Sequence, residues 1–158
     1  MNNKREMLRH NVATLAYRAA KVLRDAPPDF ATYRSCESTR TPGQILAHLG
    51  DLLDWGLSLA AGRQVWINSE ALVWEQGVDR FFTSLKKFDD YLASGDDLKA
   101  SEEQLFQGPV ADALTHVGQI GMLRRMAGAP VRGENYFVAD IEAGSVSAAQ
   151  KPARYEFD

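Results

Sequence analysis

The sequence predicts an all-α fold: an antiparallel four-helix bundle followed by an irregular C-terminal tail. Three observations carry this. Four segments repeat apolar residues at spacings of three and four, the period of one helix face. No segment longer than a few residues alternates apolar and polar in the way a strand does. Capping residues, prolines and glycines stand at the ends of the periodic segments. Four amphipathic helices bury their apolar stripes together around a common core.

The first helix carries Leu8, Val12, Leu15, Ala19 and Val22 on one face, and Pro27-Pro28 ends it. The second opens on Thr41-Pro42-Gly43-Gln44, with a capping hydroxyl, proline at the first helical position and glutamine three residues on. Its inward stripe reads Ile45, His48, Leu52, Trp55 and Leu59, and Gly62 is its stop. The third is expected to begin near Asn68 or Ser69, after a short connection, and to bury Trp74, Val78, Phe81, Leu85, Phe88 and Leu92 before Ser94-Gly95. A short helical turn at Ser101-Glu102-Glu103-Gln104 repeats the capping-box pattern. The fourth is expected to run from Gly108-Pro109 to Gly128, with Pro130 blocking extension. One of its faces reads Asp112, His116, Gln119, Leu123 and Met126, and the neighbouring stripe Val110, Leu114, Val117 and Gly121.

Residues 1–128 form the expected bundle, without internal repeat or boundary. Residues 129–158 are rich in Gly, Ala, Ser and Pro, with an apolar cluster at Tyr136, Phe137, Val138 and Ile141. This tail is open to three readings: a segment draped on the bundle, a flap over one end of it, or an arm at a dimer interface.

At 158 residues the chain fits one domain. Hydrophobic residues at 45% and charged residues at 25% exclude a wholly disordered or low-complexity protein. The 18 Lys and Arg against 21 Asp and Glu leave a net charge of −3 with no basic block, which speaks against a nucleic-acid partner. The single cysteine, Cys36, excludes an internal disulfide. No apolar run approaches the ~18 residues of a bilayer span, and the N-terminal stretch carries no signal-peptide core. The expected location is the cytoplasm.

The informative residues are polar ones on stripes that should face the core, because an unpartnered buried polar group costs about 1–3 kcal/mol. His48 lies between Ile45 and Leu52. Asp112 and His116 stand four residues apart, so they project from one helix face a turn apart. Two imidazoles and a carboxylate suit Zn²⁺ with an open position, and also Ni²⁺ or Fe²⁺. Gln119, one turn further, is placed to orient a ligand or a bound water. A plainer reading uses the same residues: Asp112 meets the positive end of its helix, and His48 hydrogen-bonds Asp112 with no metal.

Thr41-Pro-Gly-Gln-Ile-Leu-Ala-His48-Leu-Gly-Asp-Leu resembles the second helix of the DinB/YfiT-like family. Thr115-His116-Val-Gly-Gln119-Ile-Gly-Met-Leu-Arg124-Arg-Met-Ala-Gly128 resembles its fourth. The resemblance spans residues 4–128. It implies a four-helix bundle, often a homodimer, holding a divalent metal, Zn or Ni foremost with Fe or Mn also open. His48 and His116 match two of the family's histidine ligands. Asp112 stands where the family has a third histidine, which makes the site harder and more anionic. Relatives carry out thiol-dependent isomerisation and thiol S-transfer. The resemblance therefore implies a metal-dependent thiol S-transferase, or a related hydrolase or isomerase, acting on a small molecule, with a low-molecular-weight thiol as second cofactor. The alternative is a non-catalytic, stress-associated binding or dimerisation bundle in which His48, Asp112 and His116 only satisfy one another.

His10 falls half a turn off its stripe and reads as a surface residue. Cys36 has no neighbouring activating group in sequence. Arg124 and Arg125 complement the dipole of the fourth helix. Trp55 and Trp74 read as core or dimer-face residues, and Glu134 reaches the site only if the tail folds back.

Overall fold

The structure, a computed structural model, describes residues 3–158. Met1 and Asn2, which open the stretch read above for a signal sequence, lie outside the described residues.

Helix α1 runs Asn3–Leu23 and buries the stripe expected of it, Leu8, Val12, Leu15, Ala19 and Val22. It stops short of the two prolines, in a turn where Asp25 takes a φ of 54°. Helix α2 runs Pro42–Ala60 and starts on the expected capping box. Gln44 N–H donates to Thr41 Oγ1 at 3.2 Å, and Thr41 N–H donates to Gln44 Oε1 at 2.9 Å. Gly62 ends it at a φ of 78°, which lets Arg63 N–H return to Ser58 O at 2.7 Å.

Helix α3 runs Trp74–Ala93 rather than from Asn68 or Ser69. The cause is local. The Ser69 N–H and hydroxyl both donate to the buried Asp51 carboxylate of α2, at 2.8 and 2.6 Å, which ties Ser69 to α2 and away from the start of α3. Arg80 of α3 donates to the same carboxylate at 2.6 Å. Residues 63–73 are thereby strapped along α2, and the connection is long where a short one was expected.

The fourth helical stretch also differs from expectation. The Ser101 capping box starts a short helix α4, Glu102–Leu105. It passes through a wide π turn, Phe106–Val110, into α5, Ala111–Met126. Pro109 therefore lies inside the helical course instead of opening it. The wider turn accommodates a residue without an N–H, and Gly56 of α2 leaves room for it: a Cβ there would sit 3.2 Å from the Pro109 ring. The inward row of α5 is Val110, Ala113, Val117, Ile120 and Leu123. It takes Val110 and Val117 from one of the two faces read from the sequence and Leu123 from the other, which leaves Gln119 and Met126 exposed and Asp112 and His116 at the border.

Among the described residues the four long helices pair as α2 on α3, α1 on α5, α1 on α3 and α2 on α5. The four pairings close a ring around one apolar cluster, with Phe81, Phe88, Leu49 and Ile120 fully buried at its centre. No described helix is long and apolar enough to cross a membrane.

The tail packs along α1. Its two short strands, β1 (Gly133–Glu134) and β2 (Glu156–Phe157), pair antiparallel. Glu134 is buried, accepting from the Tyr17 hydroxyl and, at 2.8 Å, from Lys21 Nζ. Lys21 also reaches Glu156 at 2.6 Å. Burial and the neighbouring Glu134 together push the Tyr17 hydroxyl's pKa well above its usual range.

Candidate metal centre

His48 comes from the second turn of α2, and Asp112 and His116 from the first turns of α5, where these two helices pack. One ligand atom from each of the three lies within 4.8 Å of the other two. Asp112 Oδ2 stands 3.8 Å from His48 Nε2, and Asp112 Oδ1 stands 3.2 Å from His116 Nδ1. The imidazole rings are 4.6 Å apart, centre to centre, and inclined at 62°. Both rings are largely covered, at 19% and 14% exposure, while the carboxylate is 47% exposed.

The 3.8 Å separation bears on the plainer reading. It is too long for a hydrogen bond. Donors held about 2.0–2.2 Å from one tetrahedral ion sit about 3.4 Å from each other, and the 3.8 Å between His48 Nε2 and Asp112 Oδ2 is close to that spacing. His116 Nδ1 also lies 2.9 Å from the Asp112 main-chain oxygen. A carbonyl only accepts, so Nδ1 carries the proton and Nε2 keeps its lone pair, the usual arrangement of a ligating histidine held from behind.

Burial is the main cause holding the His48 pKa below its ordinary value. The neighbouring His116 and the Arg40 guanidinium act in the same direction, and Asp112 and Asp51 oppose them. The ring is therefore neutral near pH 7, the form that binds a metal.

The strapped loop supplies what helical periodicity does not report. Trp66 lies edge-on to His48, ring centres 5.6 Å apart, and is backed by Trp55 at 5.7 Å. The Asp51–Ser69–Arg80 contacts hold this loop in place, so Asp51 positions the cover over His48 from behind.

Two cavities adjoin the cluster. One of about 600 Å³ is bounded by His116 and Gln119 with Ile45, Met122, Leu123 and Met126. The other, of about 570 Å³, is polar and is bounded by His48, Gln44, Asn68 and Glu70. Arg40 lines both. Gln119 is exposed on the wall of the first, with no hydrogen bond to His116 or Asp112 among the described residues. No tail residue lines either cavity.

Other sequence-selected residues fall away from the cluster. Arg124 is buried. It donates to the carbonyls that close α1, to Val22 O at 3.0 Å and Arg24 O at 2.9 Å, and to Ala129 O at 2.7 Å. It thus caps a neighbouring helix, where a role at its own helix end was expected. Glu134 is engaged by α1, and His10 is on the surface. Cys36 is exposed, and hydrogen bonding from Ser38 lowers its thiol pKa. Trp55 and Trp74 are half-buried against the core.

The chain matches no family model, no curated protein and no solved structure.

Proposed function

We propose that this chain is a DinB-like, antiparallel four-helix-bundle enzyme of the cytoplasm, dependent on a divalent metal and acting on a small molecule. The reaction class we assign is thiol S-transfer or a related hydrolysis or isomerisation, with a homodimer as the working form. One observation carries the reading: His48, Asp112 and His116 bring three ligand atoms together from two packed helices, with no His48–Asp112 hydrogen bond to explain the grouping. The ring of helix pairings supports the bundle.

His48, Asp112 and His116 would hold the cation. A divalent ion there supplies Lewis acidity, which makes a thiol or water available as its anion near neutral pH. The Asp112 carbonyl fixes the proton on His116 Nδ1. Burial, foremost among the causes, holds the His48 pKa below its ordinary value. Trp66 packs edge-on against the His48 ring. The half-exposed Asp112 and the adjoining cavities leave access for a small molecule.

Elemental analysis of untagged protein purified without chelator tests this, with His48→Ala and His116→Ala alongside. Near-stoichiometric Zn, Ni, Fe or Mn in the parent protein, lost by more than tenfold in both variants, is the expected outcome. No metal in the parent, even after incubation with each ion, overturns the enzyme reading and leaves the non-catalytic bundle.

A further inference from the structure

The two cavities at the cluster differ in character and share one wall residue, Arg40. The larger has an apolar wall of Ile45, Met122, Leu123 and Met126, with Ser35, Thr39, His116 and Gln119 as further polar lining. The other is lined by polar groups. Arg40 stands where they meet, near enough to His48 to act on its charge.

The arginines engaged elsewhere set a contrast. Arg9 binds Asp89 through two nitrogens, Arg80 binds Asp51 and Asp54, and Arg124 caps carbonyls. Arg40 makes no hydrogen bond or ion pair among the described residues, although its backbone is fixed on both sides. Before it, Arg34 donates to Thr39 O at 2.6 Å and the Thr39 hydroxyl to Cys36 O at 2.9 Å. After it comes the Thr41–Gln44 capping box. Arg40 is thus an exposed arginine that lines both cavities and has no hydrogen-bond or ion-pair partner among the described residues. A guanidinium fork matches a carboxylate bidentately. The volume of the larger cavity, about 600 Å³, lies in the range of small-molecule sites.

We propose that the site takes a small amphipathic carboxylic acid, its carboxylate on Arg40 and its apolar body along Ile45, Met122 and Met126. This places the middle of the substrate beside His116, and it rests on the metal-site reading above for where the reacting atoms lie. A divalent cation and Arg40 outweigh the charges of Asp112 and Glu70, Asp51 being paired with Arg80, so an anion is the favoured ligand.

Hexanoate, 1-hexanol, hexylamine and acetate serve as probes. Each is titrated into zinc-treated and chelator-treated full chain, following tryptophan fluorescence from Trp55 and Trp66 and reading the zinc content of every sample. Expected is binding of hexanoate at least about tenfold tighter than that of hexanol, hexylamine or acetate. Arg40→Ala removes about tenfold of hexanoate affinity and leaves hexanol affinity and zinc content unchanged. Met126→Asp shrinks the preference for hexanoate over acetate severalfold. Equal binding of hexanoate and hexanol, or unchanged hexanoate binding in Arg40→Ala (the carboxylate then sitting on zinc alone), overturns the proposal. Absence of zinc from the parent chain defeats the metal reading by itself. Arg40-dependent hexanoate binding in chelated protein would still uphold the carboxylate site, and its absence there and with zinc would sink it.

Discussion

Two groups of polar side chains, one where the tail meets α1 and one where α2 meets α5, are treated in opposite ways. At the tail, Tyr17, Lys21, Glu134 and Glu156 are engaged with one another: one ammonium meets two carboxylates, and one hydroxyl donates to Glu134. At the α2–α5 contact, His48, Asp112 and His116 converge without closing a network. His48 Nε2 and Asp112 are 3.8 Å apart, and the carboxylate is 47% exposed. A satisfied buried network fixes a fold. Donor atoms that converge yet leave lone pairs open have capacity for something else. The difference separates charges that hold the tail in place from charges available to a ligand, although both lie beside helices of the same core.

The largest effect should come from breaking the closed network. Glu134→Ala leaves the Tyr17 hydroxyl without its acceptor and Lys21 with Glu156 alone. Loss of one partner of a buried pair destabilises by about 3–5 kcal/mol, and because Lys21 keeps Glu156 the expected loss is about 3 kcal/mol. Urea unfolding in the presence of chelator measures it. A change under about 1 kcal/mol would show that the tail is held by its apolar contacts, such as buried Val146, and not by this network.

Much of the comparison was legible in the residues, and the parts that were not have physical causes. The capping boxes at Thr41 and Ser101 depend on side chains three residues apart, and both formed where their pattern stood. His48 and His116 were legible because a polar residue on a stripe has to be accounted for. The start of α3 was not, since Ser69 is a good cap in isolation and only the fold brings Asp51 to it. The inward row of α5 was legible only in part, because buried Ala113 and Ile120 lie between the two faces that the period picks out. The closed network escaped notice because Lys21 and Glu134 are 113 residues apart. Arg40 and Trp66 lie outside helices, where periodicity carries no information.

A second test sharpens the contrast from the open side. In chelated protein His116→Ala removes packing and one hydrogen bond to a carbonyl, for an expected loss of about 1 kcal/mol, well below that of Glu134→Ala. With zinc at 100 times its dissociation constant the parent should gain about 2.7 kcal/mol and the variant nothing. Thermal unfolding of both proteins with and without zinc measures the difference of differences. Equal gains would place the zinc elsewhere.

The smallest effect is a pH dependence of the metal-free chain. Folding holds the His48 pKa below its ordinary value of 6.5, chiefly by burial, with His116 and Arg40 adding to it against Asp112 and Asp51. Between that ordinary value and the lowered one, the unfolded chain binds more protons than the folded one. Stability therefore rises with pH through this window and is lost as pH falls through it. His48→Gln removes the group, so the parent's stability should decline relative to the variant's from about pH 7 downward, and the gap should be flat above it. Paired urea titrations at intervals of half a pH unit follow this gap. A parent that gained on the variant as pH fell would mean that folding raises the His48 pKa: Asp112 would then be pairing with a protonated His48, and this end of the molecule would be closed in the same way as the tail.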